Sequence, residues 1–401
     1  MPLLRSLPAL LSLAAISLAA GAAAAFTCAS SADCELLGSC VAGACVCPAG
    51  WRGASCGELD LAPAAACADC LPLWPVASAS RPGASGSSAW GFSPLFDAID
   101  GRWHAYATVA CGGDGVVGDG GGQSWIAHLT SAQPDRGFSL LRALTPQTTF
   151  GPHALALPGG AGVAVIFRVN VLLSAPACGG NGSDPLPADF LAHAAVPASE
   201  LVSGDPEKGT SIWLATAARA GAADWAVSRL DITGCGDVHK SNPSLSVLSD
   251  GRFAMAYRYN PPGGSLNALA VSDAGVAGPY RCVANVTAGM PGDEDPFLWQ
   301  QPDGSLHMLW HNRGFGYHGF SAGVGEEWGV SPTGAHAFTL NVTRDDGRNM
   351  TLLRRERPEL RFAGEAAARA PVALIAAVQA QDSTCFALAQ ATRTGSDHLQ
   401  L

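Results

Sequence analysis

Carboxylate, imidazole and guanidinium side chains stand beside prolines at the starts of several short apolar segments. The clearest case is Glu294-Asp295-Pro296, where a glutamate could act as a general acid and a second carboxylate could activate water. His311 follows in the same unit and could contact a ligand or titrate near neutral pH, although a histidine in a β-rich chain is often structural. The other candidates for substrate binding flank further prolines; they are Ser93, His153, Asn242, Arg357 and Glu359.

These residues must be positioned by a repeating β unit. In each repeat a proline opens an apolar strand, a glycine-containing turn follows, and a second alternating strand returns. The Asp-Gly and Gly-Gly pairs at the turns supply the positive φ angles that two-residue hairpins need. A unit of about 55–60 residues with four short strands has the size of one propeller blade. Five prolines mark the units, at positions 94, 152, 243, 296 and 358.

The sequence therefore predicts an all-β fold, a five-bladed β-propeller over residues 89–395. A β-sandwich in which the Pro and Asp-Gly spacing is coincidental is the alternative. In a propeller, the starts of the innermost strands converge at one mouth of a central channel. Polar residues that open apolar strands are costly unless they are solvated or hydrogen-bonded to one another, so we expect the residues beside the five prolines to face one cavity.

The five units resemble the propellers of glycoside hydrolase families 43, 32 and 62. The run Arg354-Arg355-Glu356-Arg357-Pro358 is similar to a motif that ends divergent family-43-like propellers. The resemblance implies three carboxylates: an aspartate opening the first blade as base, an aspartate opening the third blade that tunes a pKa, and a glutamate in the fourth blade as general acid. The same charged run could instead form an ion network that locks the last blade to its neighbours.

The match to that carboxylate set is partial. Glu294 stands where the resemblance places the general acid, but Ser93 and Asn242 stand at the other two positions. Asp97 or Asp100 could replace the missing base, although Asp100-Gly101 is typical of a hairpin turn. Two functions stay open: hydrolysis of glycosidic bonds in extracellular polysaccharide, with Glu294 and Asp295 as catalytic residues, and non-catalytic glycan binding or adhesion. The expected partner is a carbohydrate or glycoconjugate, with no metal and no cofactor.

A cysteine-rich module precedes the propeller over residues 26–57. Six cysteines fall within thirty residues, and a module this short needs disulfides for stability. Six cysteines alone allow fifteen pairings. The run from Cys45 to Cys56, Cys-Val-Cys-Pro-Ala-Gly-Trp-Arg-Gly-Ala-Ser-Cys, resembles the end of epidermal-growth-factor (EGF)-like domains. That resemblance implies the pairs Cys28–Cys40, Cys34–Cys45 and Cys47–Cys56.

The remaining features indicate a secreted protein. Residues 1–25 have the basic, apolar and small-residue pattern of a signal peptide, and an uncleaved anchor is the alternative. Residues 58–88 are expected to form a linker. After signal cleavage no membrane span is expected, and a net charge of −10 argues against a nucleic-acid partner. Four sequons predict glycosylation at Asn181, Asn285, Asn341 and Asn349.

Thirteen cysteines is an odd number, so at least one is free or pairs between chains. Cys67 and Cys70 lie in a Cys-Ala-Asp-Cys run that would indicate redox or zinc chemistry in a cytosolic protein. In a chain with a secretory signal, disulfides are the expected state of these two residues.

Overall fold

The computed structural model describes residues 26–64, 88–110, 124–134, 136–145, 149–170, 210–235, 239–261, 264–287, 293–332, 334–363, 370–381 and 385–393. Their secondary structure is almost entirely β-strand, with two short 3-10 helices at Ser31–Cys34 and Pro158–Gly160. No helix within these ranges is both long and apolar enough to cross a membrane. The all-β prediction is confirmed.

Five antiparallel sheets form the large domain, and each runs outward from an inner strand. Blade I consists of β5 (Ser88–Asp97), β6 (Arg102–Ala110), β7 (Ser124–Ser131) and β8 (Ser139–Ala143). Blade II consists of β9 (Thr149–Ala156), β10 (Val163–Asn170), β11 (Thr210–Ala217) and β12 (Ala226–Arg229). Blade III consists of β14 (Lys240–Val247), β15 (Phe253–Tyr259), β16 (Leu266–Ser272) and β17 (Tyr280–Asn285), and β13 (Ile232–Thr233) adds to β17 in parallel.

Blade IV consists of β18 (Glu294–Gln300), β19 (Leu306–Asn312), β20 (Phe315–Ser321) and β21 (Trp328–Val330). A hairpin of β22 (Asn341–Thr343) and β23 (Asn349–Thr351) precedes blade V, which consists of β24 (Arg354–Phe362), β25 (Pro371–Gln379) and β26 (Cys385–Ala391). The inner strands β5, β9, β14, β18 and β24 pack against one another in that order, and β24 returns to β5. The five-bladed propeller is therefore confirmed.

The apolar core is divided among the gaps between blades. Ile166 and Leu214 of blade II pack with Met255 and Tyr257 of blade III in one buried cluster. This distribution follows from the sequence pattern. The strands carry apolar side chains on both faces, so each blade has to pack against a neighbouring blade on each side. The same pattern leaves a channel along the propeller axis, lined by the inner strands.

The predicted hairpin turns between first and second strands form as expected. Gly101, Gly251 and Gly304 adopt φ values of 67°, 86° and 94°. The preceding aspartate in each turn accepts a hydrogen bond from the backbone N–H two residues later; at Asp100 the donor is Arg102. These turns lie at the far end of each inner strand from its proline, which puts Asp100 away from the channel mouth.

The N-terminal disulfide module (residues 26–57) contains strands β1 (Ser39–Val41), β2 (Ala44–Val46) and β3 (Trp51–Arg52), and β3 pairs with β4 (Glu58–Leu59). Its three bridges join the pairs expected from the sequence, Cys28–Cys40, Cys34–Cys45 and Cys47–Cys56. Trp51 is buried and stacks on Trp299 of blade IV, with ring centroids 6.1 Å apart. The disulfide module therefore packs directly on the propeller.

Residues 58–64, at the start of the segment expected to be a linker, are held in backbone pairs. Leu61 forms an antiparallel bridge with Thr392, and the N–H of Ala62 donates to the carbonyl of Ala391. Ala64 forms a parallel bridge with Arg344, next to β22. The N-terminal segment therefore lies beside β26 as an outer partner for the three described strands of blade V. An otherwise open sheet edge is covered in this way.

Candidate ligand site at the channel mouth

One residue near the start of each inner strand bulges out of the strand ladder. The pairing register shifts at this point in all five blades. Every bulged residue has a positive φ, between 51° and 74°, and three of them are not glycine, which is a strained conformation typical of functional sites. The five residues are Gly91, Gly151, Asn242, Asp295 and Arg357.

Proline explains four of these bulges, because it has no N–H to donate to a strand ladder. Pro152, Pro243, Pro296 and Pro358 each follow a bulged residue directly. In blade I the corresponding pair is Gly91-Phe92. Phe92, and not Pro94, therefore stands at the position of the four prolines, and the sequence-based alignment of blade I was two residues out of step. The residue that opens blade I at the mouth is therefore Gly91, and Ser93 lies one layer deeper in the channel.

Below the mouth, side chains of one inner strand accept hydrogen bonds from the backbone of the next. Ser93 Oγ accepts from the N–H of Ala154, His153 Nδ1 from that of Leu245, and Ser244 Oγ from that of Leu298. Burial lowers the pKa of His153 to about 4, so it is a neutral acceptor at neutral pH. These bonds join blades I to IV in sequence and give Ser93 and His153 a structural role.

Glu359 is the blade V member of this layer. By analogy with the other blades, Glu359 would accept a hydrogen bond from a backbone N–H of blade I. The residue at that position is Pro94, which has no N–H. Glu359 Oε1 instead accepts from Ser93 Oγ at 2.8 Å. Burial raises the pKa of Glu359 to about 8, against the smaller opposing effects of the Ser93 hydrogen bond and of Arg361. Glu359 is therefore a protonated carboxylic acid at neutral pH.

Arg357 crosses the centre of the mouth. Its Nη2 donates to Asn242 Oδ1 at 3.0 Å and lies 3.2 Å from Asp295 Oδ1. The side chain runs over Gly91 and Gly151: a Cβ at Gly91 would lie 3.0 Å from its Cδ, and a Cβ at Gly151 would overlap its Nη1. The two glycines thus provide the space in which the guanidinium lies.

Asp295 is buried between two cationic partners. Its Oδ2 lies 2.9 Å from His311 Nε2 and its Oδ1 faces Arg357. Burial alone would raise the pKa of Asp295, but the charge of Arg357 and the hydrogen bond from His311 outweigh burial and hold it well below its usual range. Burial also opposes the charged form of His311, yet the hydrogen bond and charge of Asp295, together with the charge of Glu356, raise the pKa of His311.

The remaining charges of the mouth come from the inner strands β18 and β24 and from the second strand β15. Glu294 forms a very short ion pair with Arg258 of β15, and Arg258 also donates to Ser265 Oγ at 3.1 Å. Glu356 pairs with Arg354 at 3.0 Å and lies 3.9 Å from His311. Burial raises the pKa of Glu356.

The channel is narrow at the mouth and wider below it. The mouth cavity has a volume of about 30 Å³, and its walls include all five bulged residues. A chamber of about 320 Å³ lies beneath and is lined largely by apolar and aromatic side chains, among them Trp103, Phe297 and Phe362. His153 and Glu359 line both cavities and separate them.

Apart from Cys28, Cys34 and Cys45, which are disulfide-bonded, two groups of described side chains have donor atoms close enough for a metal ion. Glu294, Asp295 and His311 bring theirs within 4.8 Å at the mouth, as do Asp97, Asp100 and His104 in blade I. In the blade I group, Nη1 of Arg219 lies 3.3 Å from both carboxylates, which are thus compensated by a guanidinium. The mouth carboxylates are likewise paired with Arg258 and Arg357. In both groups the carboxylates thus have guanidinium partners.

Five of the sequence-predicted residues surround the mouth, and two more, His153 and Glu359, line the floor of its cavity. The five are Asn242, Glu294, Asp295, His311 and Arg357. Asp97, the substitute base that the sequence suggested, lies at the end of blade I opposite the mouth. Its carboxylate accepts hydrogen bonds from the backbone N–H groups of Ile99 and Gly221. The sequence arguments missed Gly91, Phe150, Arg168 and Arg258. Arg168 and Arg258 had a signal, since each is the lone charge in an otherwise apolar second strand.

Three predicted glycosylation sites, Asn285, Asn341 and Asn349, are exposed. Asn181 lies outside the described residues, as do residues 1–25 and 65–87 with Cys67 and Cys70. Beyond the disulfide module, Cys235 pairs with Cys282 in blade III.

No protein-family model matches this chain, and no curated protein matches it in sequence. Among solved structures it is similar to a thermostable family-43 glycoside hydrolase, at 9% identity and a TM-score of 0.48, covering 77% of this chain and 90% of the other. The catalytic domain of a Coprinopsis cinerea GH62 α-L-arabinofuranosidase gives 11% identity and a TM-score of 0.48, covering 80% and 95%. Penicillium chrysogenum α-L-arabinanase, complexed with arabinobiose, gives 10% identity and a TM-score of 0.44, covering 77% of each chain.

Proposed function

We propose that this protein is a secreted carbohydrate-binding propeller whose ligand binds at the channel mouth. We further propose that it does not cleave glycosidic bonds through the three-carboxylate arrangement of family-43 hydrolases. The observation that supports this most directly is the position of Arg357, which lies over Gly91 and is hydrogen-bonded to Asn242. The guanidinium therefore fills the space between the two blade positions where that arrangement needs aspartates.

Neither of those two positions can supply acid–base chemistry. Gly91 has no side chain, so the bulge position of blade I supplies no base to activate a water at the mouth. Asn242 is neutral, and its oxygen already accepts from Arg357. The low pKa of Asp295, caused by Arg357 and His311 in opposition to burial, makes it a weak base. Among the described residues, the mouth thus has polar groups for recognition, and the two blade positions beside Arg357 lack the carboxylates that an inverting enzyme uses.

At the position where the resemblance places the general acid, the carboxylate is already engaged. Glu294 is paired with the guanidinium of Arg258, so a glycosidic oxygen would have to compete with Arg258 for that carboxylate. The side chains of Glu294 and Arg258 are 34% and 22% exposed, so both can reach a ligand. Planar carboxylate and guanidinium groups can each form two hydrogen bonds, a geometry suited to neighbouring sugar hydroxyls.

The accessory features fit the same function outside the cell. The disulfide module has the bridges that its EGF-like resemblance implied, and we assign it to that class. Disulfides of this density are typical of oxidising compartments. The sequons at Asn285, Asn341 and Asn349 lie on exposed residues where glycans can be attached. Together with the predicted signal peptide, these features support secretion.

The second candidate function is hydrolysis with Glu294 as acid and Asp295 as its partner. One observation favours it: the donor atoms of Glu294, Asp295 and His311 lie within 4.8 Å of one another, close to the separation of carboxylates in retaining glycosidases. Against it, Asp295 is almost fully buried, and both of its oxygens face cationic partners.

A combined binding and turnover assay separates the two functions. The full chain, produced through a eukaryotic secretory pathway, is screened against immobilised glycans and against the same glycans in solution with detection of reducing ends. We expect binding without turnover, and weaker binding in Glu294→Gln but not in Glu327→Gln, an exposed glutamate of the same blade. Turnover that disappears in Glu294→Gln would establish the hydrolase instead. If none of the glycans binds, the proposal is refuted.

A further inference from the structure

A second ring of side chains surrounds the mouth, on the second strand of each blade. Each member of this ring is the second-strand residue that pairs with the residue just before the bulge. Strand register therefore determines which five residues form the ring. In blade order the ring consists of Thr108, Arg168, Arg258, His311 and Ala377. Three consecutive blades therefore place a basic side chain at the same height around the channel.

The ring arginines and Arg357 lie close together. Arg168 and Arg357 both pack on the ring of Phe150, at 4.9 Å and 4.3 Å from its centroid. Burial, together with the charges of Arg357 and Arg258, lowers the pKa of Arg168 to about 10. Three guanidinium groups thus share one polar mouth, where like charges repel unless anions separate them.

The carboxylates of the mouth compensate all but one of these guanidiniums. Arg258 is paired with Glu294 and Arg357 with Asp295, while the remaining carboxylate, Glu356, is paired with Arg354. Arg168 has the aromatic face of Phe150 but no ion pair among the described residues, and its buried Nε has no hydrogen-bond partner there. A half-buried guanidinium in this position lacks the planar anion that it binds best, which is a carboxylate.

We propose that the ligand of the mouth is an acidic saccharide, in which the carboxylate of a uronic acid residue pairs with Arg168 while its hydroxyls contact Glu294 and Arg258. This inference rests on the proposed carbohydrate-binding function and names the class of sugar. The anion gives Arg168 the direct ion-pair partner that it lacks among the described residues. A neutral sugar does not supply that partner, so the mouth prefers the acidic form of an otherwise identical ligand.

The test compares uronic-acid oligosaccharides of several backbones with the methyl esters of the same molecules, which keep the shape and remove the charge. Binding to the full chain is measured by calorimetry at constant ionic strength. Arg168→Met keeps most of the side-chain volume over Phe150 and removes the charge, and Arg168→Lys keeps the charge without the planar fork. Arg252→Met is the matched control, an exposed arginine of blade III that pairs with Asp250.

We expect the tightest ligand to be a free acid, with affinity about tenfold to a hundredfold lower for its ester. Arg168→Met is expected to remove that difference and Arg168→Lys to reduce it, while Arg252→Met leaves it unchanged. Equal affinity for acid and ester, or a preference that survives in Arg168→Met, would overturn the inference and leave carbohydrate binding intact. If no saccharide binds, the proposed function itself fails, which is a separate result.

Sulfated oligosaccharides form a third arm of the same experiment, because a guanidinium also binds sulfate. Tighter binding of the sulfated ligands than of the uronic acids would overturn the assignment to a carboxylate. Binding of inorganic sulfate as tight as that of any saccharide would overturn it too, since the mouth would then recognise an anion without its sugar.

Discussion

The carboxylate of Glu35, in the disulfide module, lies 2.6 Å from Nδ1 of His318 on strand β20, and both side chains are almost fully buried. The hydroxyls of Ser55 and Ser331 donate to the same carboxylate. His318 in turn faces His307 at 3.1 Å. A buried carboxylate is tolerated only when its hydrogen-bonding capacity is filled, so this network specifies how the disulfide module sits on blade IV.

Replacement of Glu35 by alanine is expected to lower the free energy of unfolding by about 3–5 kcal/mol, because the partners of the carboxylate are left buried and unpaired. Urea unfolding at pH 7 measures the loss. Glu58→Ala in the same region removes an exposed pair with Arg52 and is expected to cost at most about 1 kcal/mol. Similar losses in the two variants would mean that Glu35 contributes no more than a surface charge.

The same contact makes stability depend on pH. Burial opposes ionisation of Glu35, but the hydrogen bond and charge of His318 outweigh it, and the pKa is lowered from 4.5. Its stabilisation is complete above the unfolded pKa and is lost as the pH falls through the lower folded value. Urea unfolding between pH 3 and pH 6 is expected to show a steeper acid loss in the unmodified chain than in Glu35→Gln. Parallel curves would contradict this assignment.

Gly151→Ala tests the placement of Arg357. The new Cβ would overlap Nη1 of Arg357, and a φ of 65° adds backbone strain of about 1–2 kcal/mol. Gly101→Ala is the matched control, because its φ of 67° gives the same strain with open space around the Cβ. Both variants are expected to lose stability, while only Gly151→Ala weakens glycan binding by displacing the guanidinium. Unchanged binding in Gly151→Ala would show that the ligand does not depend on Arg357.

Arg357 and Asp295 are expected to be strongly coupled. Arg357→Met removes the largest counter-charge of a buried carboxylate and is expected to cost about 3–5 kcal/mol of unfolding free energy. Addition of Asp295→Asn removes the carboxylate charge that the loss of Arg357 leaves unpaired. The double variant is therefore expected to recover part of the lost unfolding free energy. Urea unfolding of the single and double variants gives the coupling energy. Additive losses would indicate that the two side chains act independently.

Glu359→Gln is expected to become stabilising at high pH. Burial raises the pKa of Glu359 to about 8, so between pH 4.5 and 8 the folded state holds a proton that the unfolded state has lost. Stability contributed by this group therefore declines as the pH rises through that range. The amide resembles the protonated acid and can still accept from Ser93, so the variant is expected to gain on the unmodified chain from pH 5 to pH 9. A constant difference would contradict the raised pKa.

The fold could be predicted from the sequence because the residues that interrupt its strands act through local chemistry. Proline cannot donate to a strand ladder, and Asp-Gly supplies a hairpin turn, so the repeat could be counted without knowledge of tertiary contacts. The same reasoning failed in blade I, where the bulge is made by Gly91 and Phe92, and Pro94 serves a different purpose. A proline that marks four bulges by its missing N–H can stand in the fifth strand for an unrelated reason.

The candidate site was only partly predictable, because half of it comes from second strands. Glu294 and Asp295 stand beside a proline and could be found, whereas Arg168 and Arg258 reach the mouth only through strand register. The pairing of Glu35 with His318 could not be predicted either, since it joins residues 283 positions apart. Charge balance at the mouth is a property of several strands together, and no local pattern encodes it.

The pairing of Leu61 with Thr392 also orders events during synthesis. Gln390 contacts the carbonyl of Ala62, 328 positions earlier in the chain. Residues 60–64 are synthesised well before their partner strand β26. Until β26 has been made they lack the sheet edge that they cover in the folded protein, so this long-range contact forms only after blade V has been translated. Any delay in translation of blade V thus prolongs the lifetime of an open ring with exposed strand edges.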